Sequence, residues 1–589
     1  MILDKDTAQD TWQLEDIYQN QEEWERDLGQ VETLLEEMKA YYGKLGESAD
    51  TFFSALDLST RSKELIIKVY SWARMKLDED NSKPSSQALF GQAAALLTRV
   101  ETALSFTAPE TLALPDETIS NYRRDHRFST YSHYLDNLLR QKPHTLSSAE
   151  EHIVASTGEI TRTPDEIFKM LNNADLTFPT IQDEEGKEIQ VTQGNFIKLM
   201  QSKNRRVRRD TFQALYGTYQ KLENTFASTL NAGVKRDIFY AKVHRHQSAR
   251  SASLFADNIP PAVYDSLVQT IRSNLHQLHR YMQLRKKTLG VDELHMYDIY
   301  APLAEDVKWE IPYPEAVEML KKGVAVMGDS YGEILDKGLN SRWIDIYERK
   351  GKTSGAYCDS IYGIHPFLLM SYQDNLDSAF TLAHEMGHAM HFYYSGQEQP
   401  FIYSAPAIFT AEVASTVHES LLMEYLLQTV TEQDKRNYLI NYYLEMFRTT
   451  IFRQTMFAEF ETIIHDQAEK GEGLTSHFLK ETYHQLNTNY HGEEMVVDRE
   501  IDIEWARIPH FYNAFYVYKY ATGMSAAVSL VQQILSKGKP AVEKYLSFLQ
   551  KGGSDYPLNI LQEAGVNMTS PQPVQDAIDR FSSLLNELE

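Results

Sequence analysis

The five residues His384-Glu385-Met386-Gly387-His388 constrain this chain more than any other stretch, because their chemistry is coherent only if they lie on a helix. At about 100° per residue, His388 stands about 40° round from His384 and about 6 Å along the axis, so both imidazoles can reach one metal ion at ~2 Å. Glu385 stands about 60° from His388 on the flank of the same face. That is too far round for a natural third ligand, but a carboxylate there can take a proton from a water held at the metal. The flanks agree with a helix. Residues 374–383 give an acidic N-terminus, Ser395-Gly396 gives a stop, and about five turns are expected between them.

The third ligand must come from elsewhere. His391 is nearly in line with His384 but about 10 Å further along the axis, out of reach of the same ion. A metzincin pattern requires glycine at 391 and histidine at 394, where this chain has His391 and Tyr394. A second helix is expected after a loop at 397–403, with Ser404-Ala405-Pro406 as its N-cap and first turn. In an antiparallel pair of helices Glu412 falls level with His388, each about 10 Å from the connection. Glu419, seven residues on and on nearly the same face, has two readings: a hydrogen bond to the second nitrogen of a ligand histidine, or an ion pair within or between helices.

The string 381–391 around the motif, followed by Phe409-Thr410-Ala411-Glu412-Val413-Ala414-Ser415, resembles the thimet oligopeptidase and oligoendopeptidase F family of zinc peptidases, the bacterial oligoendopeptidase F branch most of all. The stretches 12–18, 508–518, 552–554 and 564–567 extend the resemblance over nearly the whole chain. It implies one zinc ion on His384, His388 and Glu412. It also implies a mainly α, zincin-type fold with a few short strands near the active site, whose two lobes flank a deep channel open to oligopeptides and closed to folded proteins.

Amide hydrolysis builds negative charge on the carbonyl oxygen, and His510, Tyr512, Tyr516 and Tyr518 are possible donors to it. In the thimet branch a histidine and tyrosines of a glycine-rich loop contact substrate. This chain has a shorter segment without those glycines, with His510 and Tyr518 the best matches and Tyr512 and Tyr516 as substrate contacts; the competing reading is an aromatic helix face in the core. The stretch 355–370 is rich in strand formers, and an edge strand at Gly355-Ala356-Tyr357 near the metal would hold an extended peptide by its backbone. Cys358 within it reads as a small buried side chain.

A formal charge of −25 opposes binding to nucleic acid or an anionic membrane. The one basic cluster, Arg205-Arg206-Val207-Arg208-Arg209, reads as a solvated helix face or as partners for acids of the same chain. One cysteine excludes an intrachain disulfide framework, residues 1–6 lack an apolar signal core, and no apolar run of about 18 residues occurs, so a reducing cytoplasm is expected. Long amphipathic stretches at 20–43, 60–79, 85–106, 196–236, 262–289 and 432–470 predict a large helical body, with a β-hairpin turning at 183–187. A boundary is placed near 195, between an N-terminal helical domain (1–195) and a catalytic domain (196–589).

The expected activity is endopeptidase cleavage of short unfolded peptides, with Glu385 as general base. A zinc carboxypeptidase using the same motif and an idle peptide-binding protein are the alternatives; oligomeric state is not encoded in any motif.

Overall fold

The structure, a computed structural model, describes residues 10–303, 307 and 309–589. The opening residues 1–6, read above for a signal core, lie outside these. Among the described residues helices dominate, and seven strands of two to six residues form three small sheets. Among the described residues no helix is long and apolar enough to cross a membrane. The chain divides into two compact units, each assembled from three stretches of sequence: Met1–Ser148, Trp309–Tyr425 and Leu530–Gly565 in the first, Ala149–Lys308, Leu426–Ser529 and Val566–Glu589 in the second.

In the first unit the helices Gln21–Met38, Ala49–Glu79 and Pro84–Leu104 pack side by side. Local chemistry sets their starts: Asn20 and Ser48 accept the amides of Glu23 and Thr51, and Pro84 opens the third helix. Trp24, Val69, Trp72, Leu96 and Val100 fill the space between them, and the Trp24 indole donates to the Val69 carbonyl at 2.9 Å. A three-stranded sheet follows. Phe367–Tyr372 lies in its middle, parallel to Ile344–Tyr347 on one side and antiparallel to Tyr357–Asp359 on the other. The run Phe367–Met370 is buried throughout because both faces of this central strand are covered, which is why its sequence reads as unbroken apolar residues. The motif helix Leu376–Glu398 packs against the sheet.

In the second unit helices Arg205–Gln220, Arg453–Glu469 and Ser476–His491 surround Glu504, which accepts both Arg453 Nη groups (2.9 and 3.1 Å) and the hydroxyls of Tyr216 (2.9 Å) and Tyr483 (2.5 Å). Burial alone would raise this carboxyl group; Arg453 outweighs it and holds the pKa at about 2. The basic cluster is spent within the chain: Arg205 and Arg208 bind Asp298 at 2.8 and 2.7 Å, and Arg206 reaches Asp210 and the carbonyls of Gln182 and Asp183. The hairpin pairs Thr180–Gln182 with Glu188–Gln190, shorter than the pattern suggested.

Three of the long amphipathic stretches are interrupted. The stretch 196–236 is divided among helices ending at Met200, Gln220 and Val243, 262–289 breaks at Asn274, and 432–470 carries a π-helical turn at Arg448–Phe452. Amphipathic periodicity continues across such breaks because the apolar face still meets the same core, so it does not reveal them.

Candidate active site

The motif helix begins with Asn375 accepting the Ser378 amide. It runs through Gly396 to Glu398, a turn beyond the expected stop, since the Ser395 carbonyl finds a partner in the Gln399 amide. The predicted loop at 397–403 contains the short helix Phe401–Ser404, and the second helix starts at Ile408, later than Ser404-Ala405-Pro406 implied. The turn between them is fixed by Gly553, whose amide donates to the Tyr403 carbonyl at 2.8 Å. Gly552, at φ +51°, leaves no room for a Cβ against the same carbonyl.

Gly387 sets the distance between the two long helices. A Cβ there would meet the Ser415 Cα at 2.5 Å and the Ala414 carbonyl oxygen at 2.8 Å, so only glycine permits this approach. Glu412, less than one turn before the contact, is thereby brought beside the histidines. His384 Nε2 and His388 Nε2 lie 3.2 Å apart, and Glu412 Oε2 is 3.5 and 3.7 Å from them. His384 gives its Nδ1 to Glu419 Oε1 at 2.6 Å, and His388 has a backbone hydrogen bond to Ala411, so the Nε2 atoms of both rings face each other. Two ring nitrogens and a carboxylate oxygen at this spacing need a positive charge among them, either the proton that His384 carries at its raised pKa or a metal ion that replaces it. A tetrahedral zinc with ligand distances of about 2.0–2.1 Å requires ligand atoms about 3.3–3.4 Å apart, which this triangle approximates. The two-nitrogen, one-oxygen donor set is also that of catalytic rather than structural zinc, which leaves a position open.

The charges are strongly coupled. Burial would lower His384, but the hydrogen bond and charge of Glu419, with Glu385 and Glu412 behind it, lift its pKa to about 9. Burial and the neighbouring His384 push His388 down to about 3. Glu385 is 7 % exposed, and burial, with Glu412 and Glu419 adding to it against His384, raises its pKa to about 7. Its Oε2 has no hydrogen-bond partner among the described residues, an acceptor kept free beside the three converging atoms. His391 is buried with its ring on Phe548, away from the triangle.

The strand Tyr357–Asp359 lies at the edge of its sheet and packs on the motif helix. Asp78, at the end of helix Ala49–Glu79, accepts the hydroxyls of Thr353 (2.6 Å) and Tyr357 (2.7 Å), and so anchors the exposed Gly355 and half-buried Ala356 between them. Nothing in the sequence pattern singled out Asp78. Cys358 is half-buried rather than buried; its surroundings, with the charge of Glu385 adding to them, push the thiol up.

Segment 508–520 belongs to the second unit. It is a short 3-10 turn, Pro509–Tyr512, an irregular stretch, and then the helix Tyr518–Lys537. Tyr512 is turned inward, its hydroxyl 2.8 Å from that of Thr229 and its ring stacked on Phe168. Tyr518 is buried against Tyr264. His510 and Tyr516 are only half-buried, their rings stack, and His510 Nε2 lies 3.3 Å from the hydroxyl of Tyr520. Tyr520 escaped the sequence reading, although its spacing of two from Tyr518 would have placed it had the helix start been known.

Residues 198–580 match the model of peptidase family M3, and residues 110–178 match that of oligopeptidase F. The chain is 45 % identical to oligopeptidase PepF of Bacillus subtilis over 99 % of its own length and 87 % of that protein's. It is 39 % identical to the group B oligopeptidase PepB of Streptococcus agalactiae over 98 % and 96 %. Among solved structures, the oligoendopeptidase-F of Enterococcus faecium superposes with a TM-score of 0.74 at 38 % identity, covering 96 % of this chain and 98 % of that one. A putative peptidase from Chlamydophila abortus gives a TM-score of 0.94 at 32 % identity, with 99 % and 98 % covered.

Proposed function

We propose, from the premise that this chain belongs to peptidase family M3 in its oligopeptidase F branch and is a metalloendopeptidase, that it cleaves internal bonds of short unfolded peptides using one zinc ion on His384, His388 and Glu412. The observation that carries this reading is the convergence of His384 Nε2, His388 Nε2 and Glu412 Oε2 within 3.7 Å, with the unpartnered Glu385 carboxylate oxygen alongside. Zinc held there supplies Lewis acidity, which makes water a nucleophile near neutral pH and polarises a carbonyl.

The side chains do the rest. Glu385, buried and with one carboxylate oxygen left without a partner among the described residues, takes a proton from the attacking water and later returns it to the leaving amine, so no acyl group is passed to the protein. Glu419 holds the His384 ring in the tautomer that presents Nε2. The edge strand at Tyr357 pairs with the extended peptide backbone, with Gly355 and Ala356 beside it, which gives tolerance of sequence. Within segment 508–520, His510 and Tyr516 keep half-exposed rings and are the residues that the family resemblance offers as donors to the developing oxyanion. Tyr512 and Tyr518, both interior as placed, shape the ground on which those donors stand.

The division near 195 is kept as a boundary between the two family matches, which fall on either side of it; it runs inside the second compact unit, which takes in 149–308. A cytoplasmic setting accords with one cysteine in 589 residues.

The test is mass spectrometry of products from peptides of graded length blocked at both ends. Internal cleavage, abolished by chelator and by Glu385→Gln with zinc retained, is expected. Cleavage that requires a free C-terminus would replace this reading with a carboxypeptidase, and near-normal turnover by Glu385→Gln would refute the assigned base.

A further inference from the structure

Within segment 508–520, Phe515 adopts φ +58°, one of four non-glycine residues at positive φ among the described residues. A bulky side chain in that region costs on the order of 1–3 kcal/mol and persists only where its surroundings enforce it. The enforcement is visible. Arg236 Nη2 donates to the Tyr512 carbonyl at 2.8 Å, Ser253 Oγ donates to the Ala514 carbonyl at 3.0 Å, and the Phe515 amide donates to Glu461 Oε1 at 3.0 Å. The Phe515 ring is clamped between Tyr264 and His465.

Glu461 is an expensive choice for this task. It is 0 % exposed on helix Arg453–Glu469, and its Oε2 has no hydrogen-bond partner among the described residues. The groups around it give little relief: Asp237 carries like charge, and His465 spends Nδ1 on the Glu461 carbonyl while its Nε2 lies 3.5 Å from Asp237 Oδ2. Burial, opposed by the Phe515 amide and reinforced by Asp237, pushes the Glu461 carboxyl well above the usual range. An apolar side chain would fill this place at lower cost. What the carboxyl group contributes is one acceptor aimed at the amide of the strained residue, immediately before Tyr516.

We propose that Glu461 is a positioning residue for peptide hydrolysis, holding Phe515 in the left-handed conformation and so fixing the placement of Tyr516, with His510 and Tyr520 beside it. The inference rests on the reading that this segment contacts substrate. Glu461 itself touches none; its effect passes through the backbone at Phe515.

The experiment compares Glu461→Met, Glu461→Gln, Ser253→Ala, His510→Ala and Tyr516→Phe in the full-length zinc protein. It reads kcat and KM on a doubly blocked peptide, together with amide hydrogen exchange of 510–518. Glu461→Gln keeps an acceptor oxygen, and so both its exchange and its kcat stay within about 3-fold of the parent, whereas Glu461→Met loses about 100-fold in kcat at nearly constant KM, the scale of a 1 Å misplacement. Exchange at the 510–518 amides rises in Glu461→Met and, to a smaller extent, in Ser253→Ala, and stays parent-like in Glu461→Gln, His510→Ala and Tyr516→Phe. If Glu461→Met fails to fold, Ser253→Ala, which loosens the same backbone from a half-buried position, is expected to lower kcat by about tenfold. Parent-like kcat in folded Glu461→Met, or in Ser253→Ala, or an equal loss in Glu461→Gln and Glu461→Met, overturns the positioning role. Parent-like kcat in both His510→Ala and Tyr516→Phe overturns instead the reading of the segment as a substrate contact.

Discussion

His384 and His388 stand four residues apart on one helix and take their geometry from the helical repeat, whereas His510, Tyr516 and Tyr520 stand on a segment whose backbone is held by side chains 54 to 276 residues distant in the chain. The first arrangement is rigid because every intervening residue is hydrogen-bonded in the helix. The second is rigid only while Arg236, Ser253 and Glu461 hold it. Local sequence therefore specifies the candidate metal-binding group nearly by itself, and tertiary structure specifies the candidate donors. Substitutions in the two regions should accordingly fail in different ways.

The largest effect is expected in the metal group. Glu412→Ala removes one of three ligands and should lose zinc and lower kcat/KM by at least about 1000-fold, measured by elemental analysis beside peptide hydrolysis. Unchanged metal content would move the third ligand elsewhere. The donors come next: His510→Ala should keep full zinc and lose about 10²–10³ in kcat, the cost of one oxyanion donor. Loss of metal in that variant would erase the distinction between the regions. Gly387→Ala probes the close contact at Ser415; overpacking should cost about 1–3 kcal/mol of stability in denaturant unfolding and weaken zinc by moving Glu412. A variant as stable and as zinc-loaded as the parent would show that the helices can separate without harm. The smallest effect is assigned to Glu419→Gln, with about 10–100-fold weaker zinc in a chelator competition and nearly normal kcat once saturated.

The same contrast explains what could be read from sequence. The motif helix, Glu412 at the level of His388, the hairpin at 183–187 and the strand formers around 357–372 all follow from spacing and pattern within some thirty residues. The antiparallel helix argument put Glu412 in place even though the second helix starts four residues later than its presumed cap, because depth along a helix changes little with where the cap is drawn. The two readings of Glu419 meet in one contact, a hydrogen bond to His384 Nδ1 at 2.6 Å that is also an interhelical ion pair when the ring is protonated.

Other features needed the fold. Gly387 looked like an unremarkable member of the motif until Ser415 was found against it. Asp78 orders the edge strand from about 280 residues away, and no pattern links it to Tyr357. Of the four possible donors in 508–518 the resemblance favours His510 and Tyr518; burial divides them differently, turning Tyr512 and Tyr518 inward and leaving His510 and Tyr516 beside Tyr520.

The central claim is that one zinc ion joins His384, His388 and Glu412. Its most direct test is anomalous scattering from crystals of the purified protein, recorded on both sides of the zinc absorption edge. A single peak within about 2.0–2.2 Å of His384 Nε2, His388 Nε2 and a Glu412 carboxylate oxygen is predicted. A protein that hydrolyses blocked peptides yet shows no zinc peak there, or a peak coordinated by other residues, would contradict it.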